Sequence, residues 1–140
     1  MITQKKIRVG AYGVVIHENK VLMVRTQSGS KLIRNFPGGG VEMDETLVDS
    51  LKRECHEELG APVDVGDLLY VSEKMYAHED FPEYAFFGLY YTIILQGLVD
   101  YDLHGARWFG INNLPIDEML PMDKDMISKV FYLNKHTLFE

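Results

Sequence analysis

Between Gly38 and Ala61 the chain reads GGGVEMDETLVDSLKRECHEELGA, where Glu42, Asp44, Glu45, Asp49, Glu54, Glu57 and Glu58 meet only Lys52 and Arg53 as opposing charges. The pattern predicts a helix from about Glu45 to Leu59, with Asp44 as N-cap, Glu45 in the first turn, and Gly60 and Pro62 as stop signals. On a wheel of roughly 100° per residue, Leu47, Val48, Leu51, Cys55 and Leu59 fall on one core-facing arc. Asp49, Lys52 and His56 fall opposite, as a wet face should. Glu54, Glu57 and Glu58 do neither: they gather on a flank that overlaps the apolar arc, with Thr46 and Ser50 beside them. Like charges at this spacing repel, and carboxylates at the edge of a core are costly unless cations answer them. Arg53 reaches Glu57 one turn on, and Arg25 could approach from a neighbouring strand. A hard divalent cation suits the remaining acids, because Mg²⁺ takes carboxylate and carbonyl oxygens and keeps waters or phosphates. The adjacent glycine turn could lend it a backbone carbonyl. Spacing alone leaves a merely solvated acidic face equally open.

The rest of the chain narrows the class. Its 140 residues fit one domain, 1–140, and 46% hydrophobic with 25% charged residues is a globular composition. A net charge of −7 and a pI near 5.2 argue against nucleic-acid polymers and anionic membranes as partners. Phosphates remain accessible to such a surface only with cations between. The single cysteine, Cys55, excludes an internal disulfide and suits a reducing compartment. The apolar run Tyr84–Val99 is too short to span a membrane and is rich in aromatic and β-branched residues, so it reads as a buried strand. A cytoplasmic protein is expected.

Strands are expected over Ile7–His17, Lys20–Thr26, Val63–Ala77, Tyr84–Leu98 and Ala106–Ile111. Gln27–Asn35 reads as a loop and Phe36–Gly40 as a turn, since Pro37 and three glycines extend no regular element cheaply. Helical pieces should follow from Ile116 to His136, with Pro121 near the first turn of the last. Strands with covering helices imply an α/β or α+β sheet protein.

Gly39, Glu45, Arg53, Glu54, Cys55, Glu57, Glu58, Gly60 and Ala61 together resemble the Nudix box, G-x5-E-x7-R-E-U-x-E-E-x-G-U with U apolar. Every polar and glycine position matches; Cys55 and Ala61 stand where larger aliphatics are usual. The FPGGGVEMDET run and the order of elements, through RWFGINNLP to a final helix, also look like MutT-type members. The resemblance implies an α/β/α sandwich with a mixed sheet, and hydrolysis of a nucleoside diphosphate linked to another group. It implies Mg²⁺, or Mn²⁺, on Glu54, Glu57 and Glu58 with the Gly38 carbonyl nearby, and Arg53 and Glu45 as orienting residues. The partner is then a small nucleotide, and a homodimer is left open.

The base that activates water is either Glu54 on the box helix or a later loop acid. Glu79, Asp80, Glu83, Asp102 and His104 are the later candidates, because no glutamate precedes Trp108 closely. Arg25, Lys31 and Arg34 are placed to meet phosphates or simply the surface, and Phe36, Tyr76, Phe81 and Tyr84 to stack a base or fill the core. Cys55 on the core arc is expected to be inert, and the histidines show no zinc spacing. The alternative to a hydrolase is a non-catalytic nucleotide sensor on the same fold. An isomerase on it would need an acid and cysteine pair that the sequence does not present.

Overall fold

The computed structural model describes residues 4–132. The strands are β1 (Lys6–Val14), β2 (Ile16–His17), β3 (Lys20–Ser28), β4 (Lys31–Asn35), β5 (Gly38–Gly40), β6 (Val63–Val71), β7 (Tyr84–Leu95) and β8 (Arg107–Gly110). The helices are α1 (Leu47–Leu59) and α2 (Pro121–Ile127). A 3₁₀ turn at Ile116–Glu118 precedes α2, and a π-helical turn at Ser128–Tyr132 continues it.

One sheet runs β5-β1-β7-β6, in which β1 and β7 are parallel and the other pairs antiparallel. A second, antiparallel sheet runs β2-β3-β4, with β8 also on β3. Strand alternation splits the core in two. Val21 and Met23 of β3 join Tyr90, Met122, Met126, Ile127 and Phe131 on one side. Leu22 and Val24 join Leu51, Cys55, Leu59 and Ile93 on the other. Strand layers therefore lie between α1 and α2, an α/β/α sandwich with a mixed sheet, as the resemblance implied.

Four local expectations are corrected. Lys31–Asn35 is not loop but the return strand of a hairpin, pairing Arg25 with Arg34 and Thr26 with Ile33. Its polar residues hide the alternation: Ile33, Arg34 and Asn35 are all buried. Gly38–Gly40 is not a free turn but a strand on β1, with Ala11 opposite Gly39. A Cβ on Gly38 (φ 137°) would stand 2.1 Å from the Ala11 carbonyl oxygen, so only glycine permits this approach. Thr46, not Asp44, caps α1, its hydroxyl accepting from the Asp49 N–H at 3.0 Å. The Glu45 carboxylate is engaged elsewhere, and Val48 is 38% exposed rather than core. At the far end Gly60 (φ 67°) closes the helix as expected, and Pro121 opens α2. The part of the last helical expectation beyond Tyr132, including His136, lies outside the described residues.

Candidate active site

The acidic flank of α1 lies against β5. The Gly38 N–H donates to Glu58 Oε1 at 2.7 Å, and a Cβ on Gly39 would come within 3.0 Å of the Glu54 carboxylate. Arg53 ties the rest together. Its Nε–H donates to Glu45 Oε2 at 2.6 Å and its second amino group to Glu45 Oε1 at 2.9 Å. The remaining amino group donates to Glu54 Oε1 at 3.1 Å and reaches Glu57 at 3.4 Å. The Glu42 N–H completes the cradle at Glu45 Oε1, 3.0 Å away. Arg53 thus answers three acids, with a planar fork that a lysine would lack.

The electrostatics follow from depth. Arg53 hydrogen bonds hold the Glu45 carboxyl down to about 2. Burial raises Glu54 against the opposing pull of Arg53. Glu58 is pushed up to about 8, first by burial and then by Glu54 and Glu57, with the Gly38 N–H opposing. The same negative field reaches further: burial, then Glu58 and Glu54, push the Cys55 thiol up to about 12, which makes it an inert core group. Tyr12 is likewise raised by burial and by Asp123, Glu58 and Glu54.

This all-oxygen cluster suits a hard divalent cation in its chemistry. Among the described residues, however, no three Asp, Glu, His or Cys side chains converge on one point as they stand. Glu54 and Glu57 are bound to the Arg53 guanidinium, whereas Glu58 is bound to the Gly38 N–H. Joint ligation therefore requires those two carboxylates to swing away from Arg53.

Gly38 and Gly39 also edge a cavity of about 210 Å³. Tyr76, His78, Phe81 and Phe86 give it aromatic walls; Thr26, Gln27 and Asn35 add hydroxyl and amide groups, and Pro121 and Met122 close it. The loop that carries its aromatic wall is pinned to the β3–β4 hairpin. His78 Nε2 lies 3.1 Å from Ser28 Oγ, and Asp80 accepts from the Ser30 N–H at 2.8 Å and its hydroxyl at 2.9 Å. Beneath, the Tyr90 hydroxyl donates to the buried carboxylate of Asp123.

The predicted residues divide sharply. Gly38 and Gly39 edge the cavity, Glu58 bonded to the first and Glu54 lying against the second, while Arg53 ties Glu54 to Glu57. Tyr76 and Phe81 line the cavity. Phe36 does not: it is fully buried, edge-on to Tyr90 at 6.1 Å, and so belongs to the core rather than to a ligand. Tyr84 stacks under Arg8 instead. Arg25 and Arg34 line a different cavity, together with Asp102. Among the later acids, Glu79 pairs with Lys31 at 3.7 Å and Asp80 is bound to Ser30, both at the β3–β4 hairpin. Sequence reasoning missed Tyr12, Asn35 and His78. Only folding brings them to the cavity, and no spacing announces them.

Comparison with known proteins agrees with this geometry. The family model for the NUDIX domain matches residues 6–130. Nudix hydrolase 17, mitochondrial, of Arabidopsis thaliana is 42% identical over 48 residues, covering 34% of this chain and 25% of that protein. An 8-oxo-dGTP diphosphatase of Buchnera aphidicola is 36% identical over 53 residues, covering 36% and 41%. The chain thus spans well under half the length of either relative in these matches. The crystal structure of a MutT NUDIX hydrolase from Burkholderia pseudomallei superposes with a TM-score of 0.72 at 22% identity, covering 90% of this chain and 99% of that one. At that identity the likeness establishes the fold. Among the described residues no helix is long and apolar enough to cross a membrane.

Proposed function

The chain belongs to the NUDIX domain family, and on that footing we propose that it hydrolyses a pyrophosphate bond in a nucleoside diphosphate linked to a further group. The observation that carries the reading is the junction of box acids and ring-walled cavity at Gly38–Gly39. Aromatic rings stack a base, and the amides of Gln27 and Asn35 can read its edge. A nucleotide seated there runs its phosphates over the glycine strand toward Glu54, Glu57 and Glu58. Glu54, Glu57 and Glu58 are the residues to hold Mg²⁺ or Mn²⁺, with the Gly38 carbonyl. Such an ion supplies neutralisation of the diphosphate and a water acidic enough to ionise near neutral pH.

The chain's own groups do the rest. Arg53 positions Glu54 and Glu57 and, through Glu45, fixes the start of the box helix. To hold an ion together with Glu58, Glu54 and Glu57 would turn from Arg53. Glu54 is the base we assign: it lies at the Gly39 edge, and burial raises it toward a basicity useful for taking a proton from water. Relatives named for 8-oxo-dGTP and, among solved folds, for ADP-ribose support a nucleotide as substrate without selecting one.

The test incubates purified protein and Mg²⁺ with nucleoside triphosphates including 8-oxo-dGTP, nucleotide sugars, ADP-ribose and dinucleoside polyphosphates, and separates the products by chromatography. Cleavage of one class supports the reading and identifies the leaving group. No turnover with Mg²⁺ or Mn²⁺, while nucleotides still raise Tm, would replace it with a sensor.

A further inference from the structure

The second cavity, about 540 Å³ and open, is lined by Arg25, Arg34, Arg107, Asp102, Tyr101 and Trp108, among others. Its lining shares no residue with the cavity at the box. Register explains the convergence. Arg25 faces Arg34 across β3–β4, and Arg107 faces Met23 across β3–β8, so all three side chains leave the same face of the sheet. Three arginines crowd here in a chain whose net charge is −7.

Their charges are only partly answered. Arg25 pairs with Glu118 at 3.4 Å, off the lining, and among the described residues Asp102 is the one acid on the lining itself. Arg34 is only 2% exposed. It donates to the Gly105 carbonyl and lies 5.3 Å from the Phe109 ring centroid, yet its Nε–H has no hydrogen-bond partner among the described residues. A buried guanidinium donor left unpaired is costly, and the fold maintains it beside two further cations. Burial, then Arg25 and Arg107, lower the Arg34 pKa, the direction expected where cations repel. Trp108 donates its indole N–H to the Tyr101 oxygen at 3.0 Å, which leaves the phenolic hydrogen free to donate.

We propose that this cavity is a second binding site, for a phosphate-class anion held by Arg25, Arg34 and Arg107. Guanidinium forks match tetrahedral oxyanions in geometry and in charge. Three arginines against Glu118 and Asp102 leave one formal positive charge among these side chains, and an anion neutralises it. The ligand is either free phosphate or the phosphate of a small ester. The site stands apart from the hydrolytic reading and does not depend on it.

Trp108 is the only tryptophan in the chain, so its indole resonance reports on the cavity without ambiguity. The experiment titrates ¹⁵N-labelled protein, kept metal-free with EDTA, with inorganic phosphate, with AMP, and with chloride at matched ionic strength. Phosphate is expected to shift the indole signal saturably and chloride not to. Arg107→Gln, on the exposed rim, is expected to weaken binding about tenfold, and Glu57→Gln to leave it unchanged. Tighter binding of AMP than of phosphate identifies an ester as the ligand; equal binding identifies free phosphate. A signal that does not saturate, a matching response to chloride, or unaltered affinity in Arg107→Gln overturns the proposal.

Discussion

The Gly38 N–H donates to Glu58 Oε1 at 2.7 Å, joining the glycine strand to the box helix through a carboxylate that is only 7% exposed. That bond places an acid where solvent cannot stabilise its charge, and much of the protein's pH behaviour should follow from it.

Burial pushes the Glu58 carboxyl up to about 8 from an ordinary 4.5, and that of Asp123 up to about 7 from 3.8. Both folded values are raised, so the native state holds protons that the unfolded chain releases. Their stabilising effect is complete below about pH 4 and is lost as pH rises toward 8. Metal-free protein should therefore lose Tm between pH 5 and 8. Glu58→Gln keeps the bond to Gly38 and removes this charge. It should flatten the profile above pH 7 and raise Tm at pH 8, as scanning calorimetry across pH would read. A variant whose Tm falls in parallel with wild type through pH 8 would contradict the assignment.

Neighbouring glycines should fail in different ways. Gly38→Ala meets both a positive φ and the Ala11 carbonyl at 2.1 Å, which should cost about 3 kcal/mol or more. Gly39→Ala meets the Glu54 carboxylate at 3.0 Å, the far end of a side chain that can yield. The second variant should stay folded yet lose most activity, because Glu54 moves. Paired urea melts and initial rates separate the two.

Arg53→Lys retains the charge but not the fork that binds Glu45 twice while reaching Glu54 and Glu57. The expected result is a fall in kcat of about tenfold or more, with KM little changed. An equal rise in KM alone would instead place Arg53 on the substrate.

Phe81 lines the cavity and packs on His78 at 5.1 Å between ring centroids. If the cavity holds the base, Phe81→Ala should raise KM several-fold, since base stacking on an aromatic ring is worth about 1–3 kcal/mol. Unchanged KM across the cleaved substrates would move the base elsewhere.

The box helix was legible because its signals are local. Gly60 needs a left-handed conformation, Leu51, Cys55 and Leu59 repeat at helical spacing, and the acids sit on their flank. The glycine strand was not, because what makes Gly38 extended is the backbone of Ala11, distant in sequence. The N-cap was misplaced because Asp44 and Thr46 are both good caps, and it is the Thr46 hydroxyl that accepts from the Asp49 N–H. Nearness to the box in sequence left Phe36, Arg25 and Arg34 open to a substrate role. Strand direction sends Phe36 into the core and Arg25 and Arg34 to the other cavity.

The most direct measurement is the rate at which Glu57→Gln cleaves the best substrate of the panel, beside wild type with and without EDTA. Glu57 is largely exposed, its side chain 55% accessible, with a long contact to Arg53 as its one ion pair among the described residues, so the variant should melt within a degree or two of wild type. The account predicts that its kcat/KM falls at least about a hundredfold, and that EDTA abolishes wild-type turnover. Turnover that survives both the substitution and the chelator would contradict it.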